Sequence, residues 1–507
     1  MTISPQTFPD IEKFEAQYNN GDAQICYRRI ESDLETPVSV YLKVAHEAAN
    51  SFLLESVEGG EVLGRHSIIG LKPDLIWRAD HKHGYFNRGI LEGEDVFVRD
   101  NRPIMDSFQA LLDESAIDLP ENLASMAAGV FGYFGYDFVR QCEHLPNRPP
   151  MGVDIPDAIF IRPTIVIIFD NIRQEMLVAT PVRAKKNQTA KEAYALAEAR
   201  LEEACRAMEA PVNHRATSFD GSQAIGKTDI LSNITSNMTP TDFTDKVKKA
   251  KDYIRAGDIF QVVLSQCFET PFSASPFSLY RSLRRENPSP FLFFLNFDSH
   301  ALVGSSPEIL VRVSSGEVTI RPIAGTRARG KTHPEDKALE QELLADPKER
   351  AEHLMLLDLG RNDVGRSAKT NSVKVTDSFI VERYSHVMHI VSNVMGQLRD
   401  DVTPVEALMA GFPAGTVSGA PKIRAMEIID ELEPQSRNAY AGAIGYFSAG
   451  GEVDTAITLR TGLVKDGKLY VQAGAGIVSD SNPQAEQQEC VDKSMALFSA
   501  AAKVIKN

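Results

Sequence analysis

Two glycines interrupt an otherwise apolar strand near the C-terminus, in Val471-Gln-Ala-Gly-Ala-Gly-Ile-Val-Ser-Asp480. Bare backbone at Gly474 and Gly476, with only Ala475 between them, lets another group approach closely, so the chain must fold around this stretch. The preceding segment, Asp454-Thr-Ala-Ile-Thr-Leu-Arg460, reads as a strand with Ala456, Thr458 and Arg460 on one face, because side chains alternate. After a turn at Ser481-Asn-Pro483, residues 484–504 are rich in helix formers. Glu486, Glu489 and Lys493 then stack along one helical face. Two carboxylates, a lysine, an arginine and free backbone amides around one cavity suit a metal ion carrying an anionic ligand. Taken alone, the stretch also reads as a solvated helix face over a tight strand pair.

The chain has 507 residues, enough for several cores, with length alone suggesting about three domains. No apolar run approaches the roughly 20 residues that cross a bilayer, and the N-terminus lacks the pattern of a signal peptide. Its five cysteines are scattered and odd in number, without Cys-x-x-Cys spacing, which points to reduced thiols and a cytoplasmic protein. A net charge of −15 argues against nucleic acid and anionic membranes as partners. It leaves room for a small anionic substrate, because screening lets local cations decide a site.

Residues 1–210 read as one unit. It holds a short helix at 11–20, a strand or helix at 38–44, and strands at 51–56, 64–71, 129–136 and 159–169. A long helix follows at 185–208. Residues 211–240 are polar and aperiodic and read as a linker. The second unit, 241–507, opens with a helix capped by Thr241 and stopped by Gly257. Strands then alternate irregularly with helices at 334–345 and 347–357. Consecutive strands mixed with helices indicate an α+β fold.

Glu349 and Glu352 form a second Glu-x-x-Glu pair on the helix at 347–357. Two such pairs supply the oxygen ligands that Mg²⁺ prefers, although either pair alone is also an ordinary charged surface. Pro413-Ala-Gly-Thr-Val-Ser-Gly-Ala-Pro-Lys422 leads into a helix, an anion-binding arrangement in principle or a plain helix start. His389 lies on an alternating strand and reads by default as a hydrogen-bonded core histidine.

Pro322-Ile-Ala-Gly-Thr326, Glu349-Arg-Ala-Glu-His353, Asp358-Leu-Gly-Arg-Asn-Asp363, Gly419-Ala-Pro-Lys422 and Gln472-Ala-Gly-Ala-Gly-Ile-Val478 occur in that order. Five ordered motifs over roughly residues 240–505 resemble the chorismate-utilising enzymes. Leu53-Leu-Glu-Ser56 and Asn287-Pro-Ser-Pro290 resemble the tryptophan-binding elements of the anthranilate synthase component I branch. This extends the likeness to nearly the whole chain.

The resemblance implies an α+β sandwich of large antiparallel β-sheets with helices outside. It implies Mg²⁺ on Glu352 and Glu489, assisted by Glu349 and Glu486. Gly474, Ala475, Gly476 and Lys493 would surround the ring carboxylate of chorismate, with Tyr440 and Arg460 on the enolpyruvyl carboxylate. Gly325, Thr326 and Thr416 would line the pocket. Glu308 would be the acid for a departing hydroxyl, and His389 would assist the loss of pyruvate. Relatives that add water to chorismate carry a lysine base at the place of Gln261, and aminodeoxychorismate synthases a nucleophilic lysine at that of Ala324. A neutral amide at 261 cannot activate water, which points to ammonia as the nucleophile, and the absence of the lysine at 324 removes the covalent route; both replacements point to the anthranilate synthase branch. Leu54, Glu55, Ser56, Pro288, Ser289 and Pro290 would hold tryptophan as an inhibitor. With no Gly-x-Cys-x-Gly nucleophile elbow, ammonia would come from a separate glutamine amidotransferase subunit, giving a heterotetramer.

Overall fold

The computed structural model describes residues 6–45, 47–58, 62–211, 227–384 and 387–504. Two long strands carry the architecture. Val62–Ala79 and Ala158–Asp170 pair antiparallel along nearly their whole length, with a register shift between Pro73 and Leu75. The second contains Ile159-Phe-Ile-Arg-Pro-Thr-Ile-Val-Ile-Ile-Phe169, β-branched and aromatic, and is buried on both faces almost throughout.

From one end of this pair the sheet continues through Ser51–Glu58 and Phe291–Asn296. It runs on through Ala301–Ser306, Thr461–Lys465 and Lys468–Ile477 to Gln261–Pro271. From the other end it continues through Gly129–Phe134, Ala443–Ser448, Val453–Ile457 and Ile309–Ser314. Glu317–Ile320 and Val387–Gln397 follow. Every pairing named here is antiparallel, so the α+β sandwich of antiparallel sheets expected from sequence is the fold observed.

The two limbs face each other over an apolar layer that includes Phe52, Phe131, Phe293 and Ile444. Phe52 and Phe131, one from each limb, stack with ring centroids 4.4 Å apart. Helices cover the outside. Leu279 from Pro276–Glu286, Val247 from Pro240–Ala256 and Leu497 from Pro483–Val504 are fully buried in the larger core. Truncating such a leucine to alanine costs about 2–5 kcal/mol.

Strand pairing runs across the expected boundary between 1–210 and 241–507. Ser51–Glu58 pairs with Phe291–Asn296, and Gly129–Phe134 with Ala443–Ser448. Of the expected linker, residues 212–226 lie outside the described residues. Its later part contains the helix Lys227–Ser232 and the strand Thr235–Ser236.

Local differences from the sequence reading have simple causes. The helix Pro240–Ala256 is capped by Thr239, not Thr241: Thr239 and Asp242 form a reciprocal capping box with proline in the first turn. The helix Pro347–Ser367 runs well past Leu357. Gly360 does not stop it, because that glycine answers a packing need: a Cβ there would sit 3.0 Å from Pro322 Cγ. Val453–Ile457 ends before Arg460, which lies in the following turn with φ +48°. Strand alternation therefore does not set the direction of Arg460.

Candidate active site

The glycine strand lies against Gln261–Pro271, with Gly474 opposite Ser265 and Gly476 opposite Val263. A Cβ on Gly476 would stand 2.7 Å from Gln261 Nε2, and one on Gly474 would stand 2.7 Å from Tyr440 Oη. The two glycines are thus fixed by the side chains that cross the strand. Ala475 is fully buried, so only its backbone is available to a ligand. Lys493 donates to the Gly474 carbonyl at 2.9 Å and pairs with Glu489 at 2.6 Å.

Two helices bring their Glu-x-x-Glu pairs to this strand. Burial raises the Glu352 pKa, and the charges of Glu349 and Glu489 raise it further. Burial also raises that of Glu486, with Glu489 adding repulsion. The pairs are therefore mutual neighbours, although they come from opposite parts of the second half of the sequence. Glu349 is held by Arg327 at 3.1 Å, which also binds Asp346 and Glu342. Gln261 Nε2 reaches Glu352 at 3.4 Å, while its buried Oε1 has no hydrogen-bond partner among the described residues.

Among the described residues, no three His, Cys, Asp or Glu side chains converge in metal-binding geometry. The donor set is all oxygen, and its like-charge repulsion is what a divalent cation relieves. The residues present fit Mg²⁺ in chemistry.

A bulge forms the opposite wall. The pairing of Ile323–Ala328 with Val387–Gln397 slips between Ala324 and Thr326, and Gly325 takes φ +74°. The slip brings the Gly325 carbonyl to 3.1 Å and Thr326 Oγ1 to 3.0 Å from His389 Nδ1. A carbonyl can only accept, so Nδ1 carries the proton and Nε2 keeps its lone pair. Burial and the charge of Arg460 lower the His389 pKa, which keeps it neutral. Arg460 is half-buried and makes no direct hydrogen bond or ion pair from its guanidinium with the described residues. Burial lowers its pKa, against the opposing influence of Tyr440 and Glu489.

Glu308 sits in the turn between Ala301–Ser306 and Ile309–Ser314 and is 7% exposed. Burial pushes its pKa up to about 8, against the opposing hydrogen bonds of Thr416 and the Ile323 amide. Thr416 Oγ1 lies 3.1 Å from each carboxyl oxygen. A carboxylic acid protonated near neutrality can serve as a general acid.

A large cavity of about 680 Å³ lies apart from the four helix carboxylates, between the two sheet limbs. Leu54, Ser56 and Pro290 line it with Phe293, Ile444 and Tyr446. Glu55 borders it, but its carboxylate turns to the opposite face, where Tyr280 and Arg284 hold it, the latter at 2.8 Å. Alternation along Ser51–Glu58 explains the turn, since Leu54 and Ser56 take the other side. Pro288 and Ser289 stand just outside the lining. Tyr384 lines the cavity and also contacts His389, with ring centroids 5.5 Å apart.

Sequence reasoning missed Arg327 as the clamp on Glu349, although it stands in the Arg321–Gly330 segment next to Thr326. It also missed Tyr384 and the Arg312–Asp454 pair at 2.9 Å, which line the large cavity. An arginine five residues after a quoted proline was the available signal for the first. Nothing local marked the others.

Residues 72–499 match the family described as chorismate binding enzyme. The chain is 51% identical to anthranilate synthase component 1 of Cereibacter sphaeroides, covering 97% of each chain. It is 46% identical to the Pseudomonas putida protein of that name, over 93% of this chain and 94% of the relative. Among solved structures, anthranilate synthase component I from Streptococcus pneumoniae superposes with a TM-score of 0.74 at 34% identity, over 92% of this chain and 99% of that one.

Proposed function

Because the chain belongs to the chorismate binding enzyme family, we propose that it works as an anthranilate synthase component I. It joins chorismate and ammonia to give anthranilate, pyruvate and water. The observation that carries this reading is Gln261 at the carboxylate cluster. A neutral amide against Glu352 cannot take a proton from water, whereas ammonia needs no base to attack. Ala324, lacking an amine, offers no covalent route.

Arg460 and Tyr440 take the enolpyruvyl carboxylate, since a planar guanidinium suits bidentate capture. The Gly474 and Gly476 amides and Lys493 take the ring carboxylate. Glu352 and Glu489, supported by Glu349 and Glu486, would hold Mg²⁺, which when bound supplies positive charge to that carboxylate. Nitrogen bonds to the ring, the ring C–O bond to the hydroxyl breaks, the Glu308 proton leaves with it as water, and the new ammonium gives up one proton, which restores the acid. His389 Nε2 then takes the proton from the aminated carbon. The ring becomes aromatic, the ether C–O bond breaks, and the departing three-carbon unit is protonated to pyruvate. Gly325, Thr326 and Thr416 wall the ring and keep these groups in place.

Ammonia comes from a separate glutamine amidotransferase in a heterotetramer. None of the cysteines suits that chemistry: burial pushes Cys26, Cys267 and Cys490 up to about 12, and Cys142 up to about 11. The thiols are all free, and no helix among the described residues is long and apolar enough to cross a membrane. Free thiols suit the reducing cytoplasm, and the proposed product, anthranilate, makes this an enzyme of tryptophan biosynthesis. The 680 Å³ cavity, with apolar walls and a charged rim, suits tryptophan as an inhibitor.

Anthranilate fluorescence from the purified chain with chorismate, Mg²⁺ and ammonium tests the reading, with and without tryptophan. Signal that needs the metal and falls with tryptophan supports all its parts. Chorismate consumed to an aminodeoxychorismate without fluorescence would assign the chain to that neighbouring reaction.

A further inference from the structure

Two sequence motifs, Asp358-Leu-Gly-Arg-Asn-Asp363 and Gly419-Ala-Pro-Lys422, take no part in the reaction as proposed, yet their last residues meet. Lys422 Nζ donates to Asp363 Oδ2 at 2.9 Å and to the Gly411 carbonyl at 3.3 Å. Both side chains are deeply buried, with Lys422 8% and Asp363 4% exposed. The second carboxylate oxygen, Asp363 Oδ1, is buried and has no hydrogen-bond partner of proper geometry among the described residues, although the neighbouring Asn362 side chain also favours the ionised carboxylate. Leaving such an acceptor unmade costs about 1–3 kcal/mol or more. A pair of apolar residues would pack the same space without that cost.

The orphan oxygen is not far from chemistry. Asp363 lines a small cavity of about 30 Å³ whose other walls include Gly411, Glu308 and Thr416. A cavity above roughly 10–15 Å³ by this measure holds one water, provided polar partners surround it. Here the polar residues of the lining are Asp363, Glu308 and Thr416.

We infer that Asp363, held by Lys422, is a positioning residue for the acid, acting through one water that bridges Asp363 Oδ1 and the Glu308 carboxyl. The inference rests on the proposed reaction and on Glu308 as its acid. The water donates one hydrogen to Asp363 Oδ1 and the other to one Glu308 oxygen. That oxygen is thereby fixed as the carbonyl of the carboxylic acid, and the proton stays on its partner oxygen, free to go to the leaving hydroxyl. Burial raises the Asp363 pKa, while the charge and hydrogen bond of Lys422 oppose that shift and favour the ionised, accepting carboxylate. The other charged groups around the pair are Arg366 and Glu143, themselves 3.1 Å apart. Around Glu308 the polar and titratable groups are Thr416, the Ile323 amide and Tyr384, all uncharged near neutrality.

The test replaces the pair together, as Asp363→Leu with Lys422→Met, so that no lone charge is buried. The expected result is a kcat for chorismate amination lowered about tenfold or more, with KM within about twofold. The alkaline limb of the kcat profile should also move. Asp363→Asn with Lys422→Met keeps a carbonyl acceptor for the water and should recover most of the lost kcat. Unchanged kcat and limb in the folded leucine–methionine enzyme would overturn the inference.

Should that variant not fold, a crystal structure of the wild-type enzyme that resolves its waters decides. A water within hydrogen-bond distance of both Asp363 Oδ1 and Glu308 is expected. A dry cavity, or a water on Asp363 alone, overturns it. A wild-type chain inert toward chorismate but holding that water would instead sink the proposed reaction.

Discussion

Glu308 and the four carboxylates of the two helix pairs share one catalytic half, but different physics disturbs their protons. Burial alone pushes Glu308 up to about 8, with no charged neighbour among its causes. Glu352 is raised by burial, by Glu349 on its own helix and by Glu489 on the other, and Glu486 by burial and by Glu489 on its own helix. The first arrangement suits a residue that must hold a proton and release it. The second suits residues that wait for a cation, since only a positive charge removes repulsion among neighbours.

The largest effect should come from the cluster. Glu489→Gln removes one carboxylate from an exposed helix face, so circular dichroism should stay native while turnover falls beyond detection, about 10³-fold or more. Native folding with normal turnover would defeat the metal assignment.

Glu308→Gln should lower kcat about 10²–10⁴-fold with little change in KM for chorismate. In the wild type, kcat should fall as pH rises through about 8, when Glu308 loses its proton. The glutamine variant should lose that limb, and a limb that persists would assign the acid elsewhere.

Gly476→Ala comes third. Its Cβ would stand 2.7 Å from Gln261 Nε2, pushing that amide from Glu352. We expect a destabilisation of about 1–3 kcal/mol, read as a lowered denaturant midpoint, together with a higher KM. Unaltered kinetics would mean that the amide is not part of the site.

The smallest effects separate the two kinds of carboxylate by stability. Saturating Mg²⁺ at about 100 times its Kd should stabilise the fold by about 2.7 kcal/mol, and this gain should vanish in Glu352→Gln. Glu308 acts through pH instead. Its folded pKa of about 8 exceeds the unfolded value of 4.5, so the folded state holds the extra proton between them. Its contribution is full below about 4.5 and is lost as pH rises through about 8. Glu308→Gln should flatten that part of the stability profile, measured by urea denaturation, and Mg²⁺ should not.

Much of this was legible before any coordinates. The strand at 159–169 declares itself by β-branched and aromatic content, and the one at 51–56 by an apolar run that ends in polar residues. The helix-borne spacing of Glu349 with Glu352, and of Glu486 with Glu489, needs only the period of an α-helix. The need for bare backbone at residues 474 and 476 is written in the glycines. By contrast, the cap at Thr239 and the helix continuing beyond Leu357 depended on competing local choices. Gly360 is neutral between a stop and a close contact until Pro322 is in place.

The sequence by itself determined which side chains could do chemistry and which shared a face within one element, because those relations are set by backbone periods of a few residues. Only the tertiary structure decided which faces met. It joined two Glu-x-x-Glu helices far apart in the chain and sent the Glu55 carboxylate to Arg284 instead of the cavity. It also put Arg460 beyond its strand, next to His389, and made Glu308 a protonated acid by burying it. Each outcome depends on desolvation and on neighbours brought in by long-range strand pairing, and neither is encoded in the spacing of nearby residues.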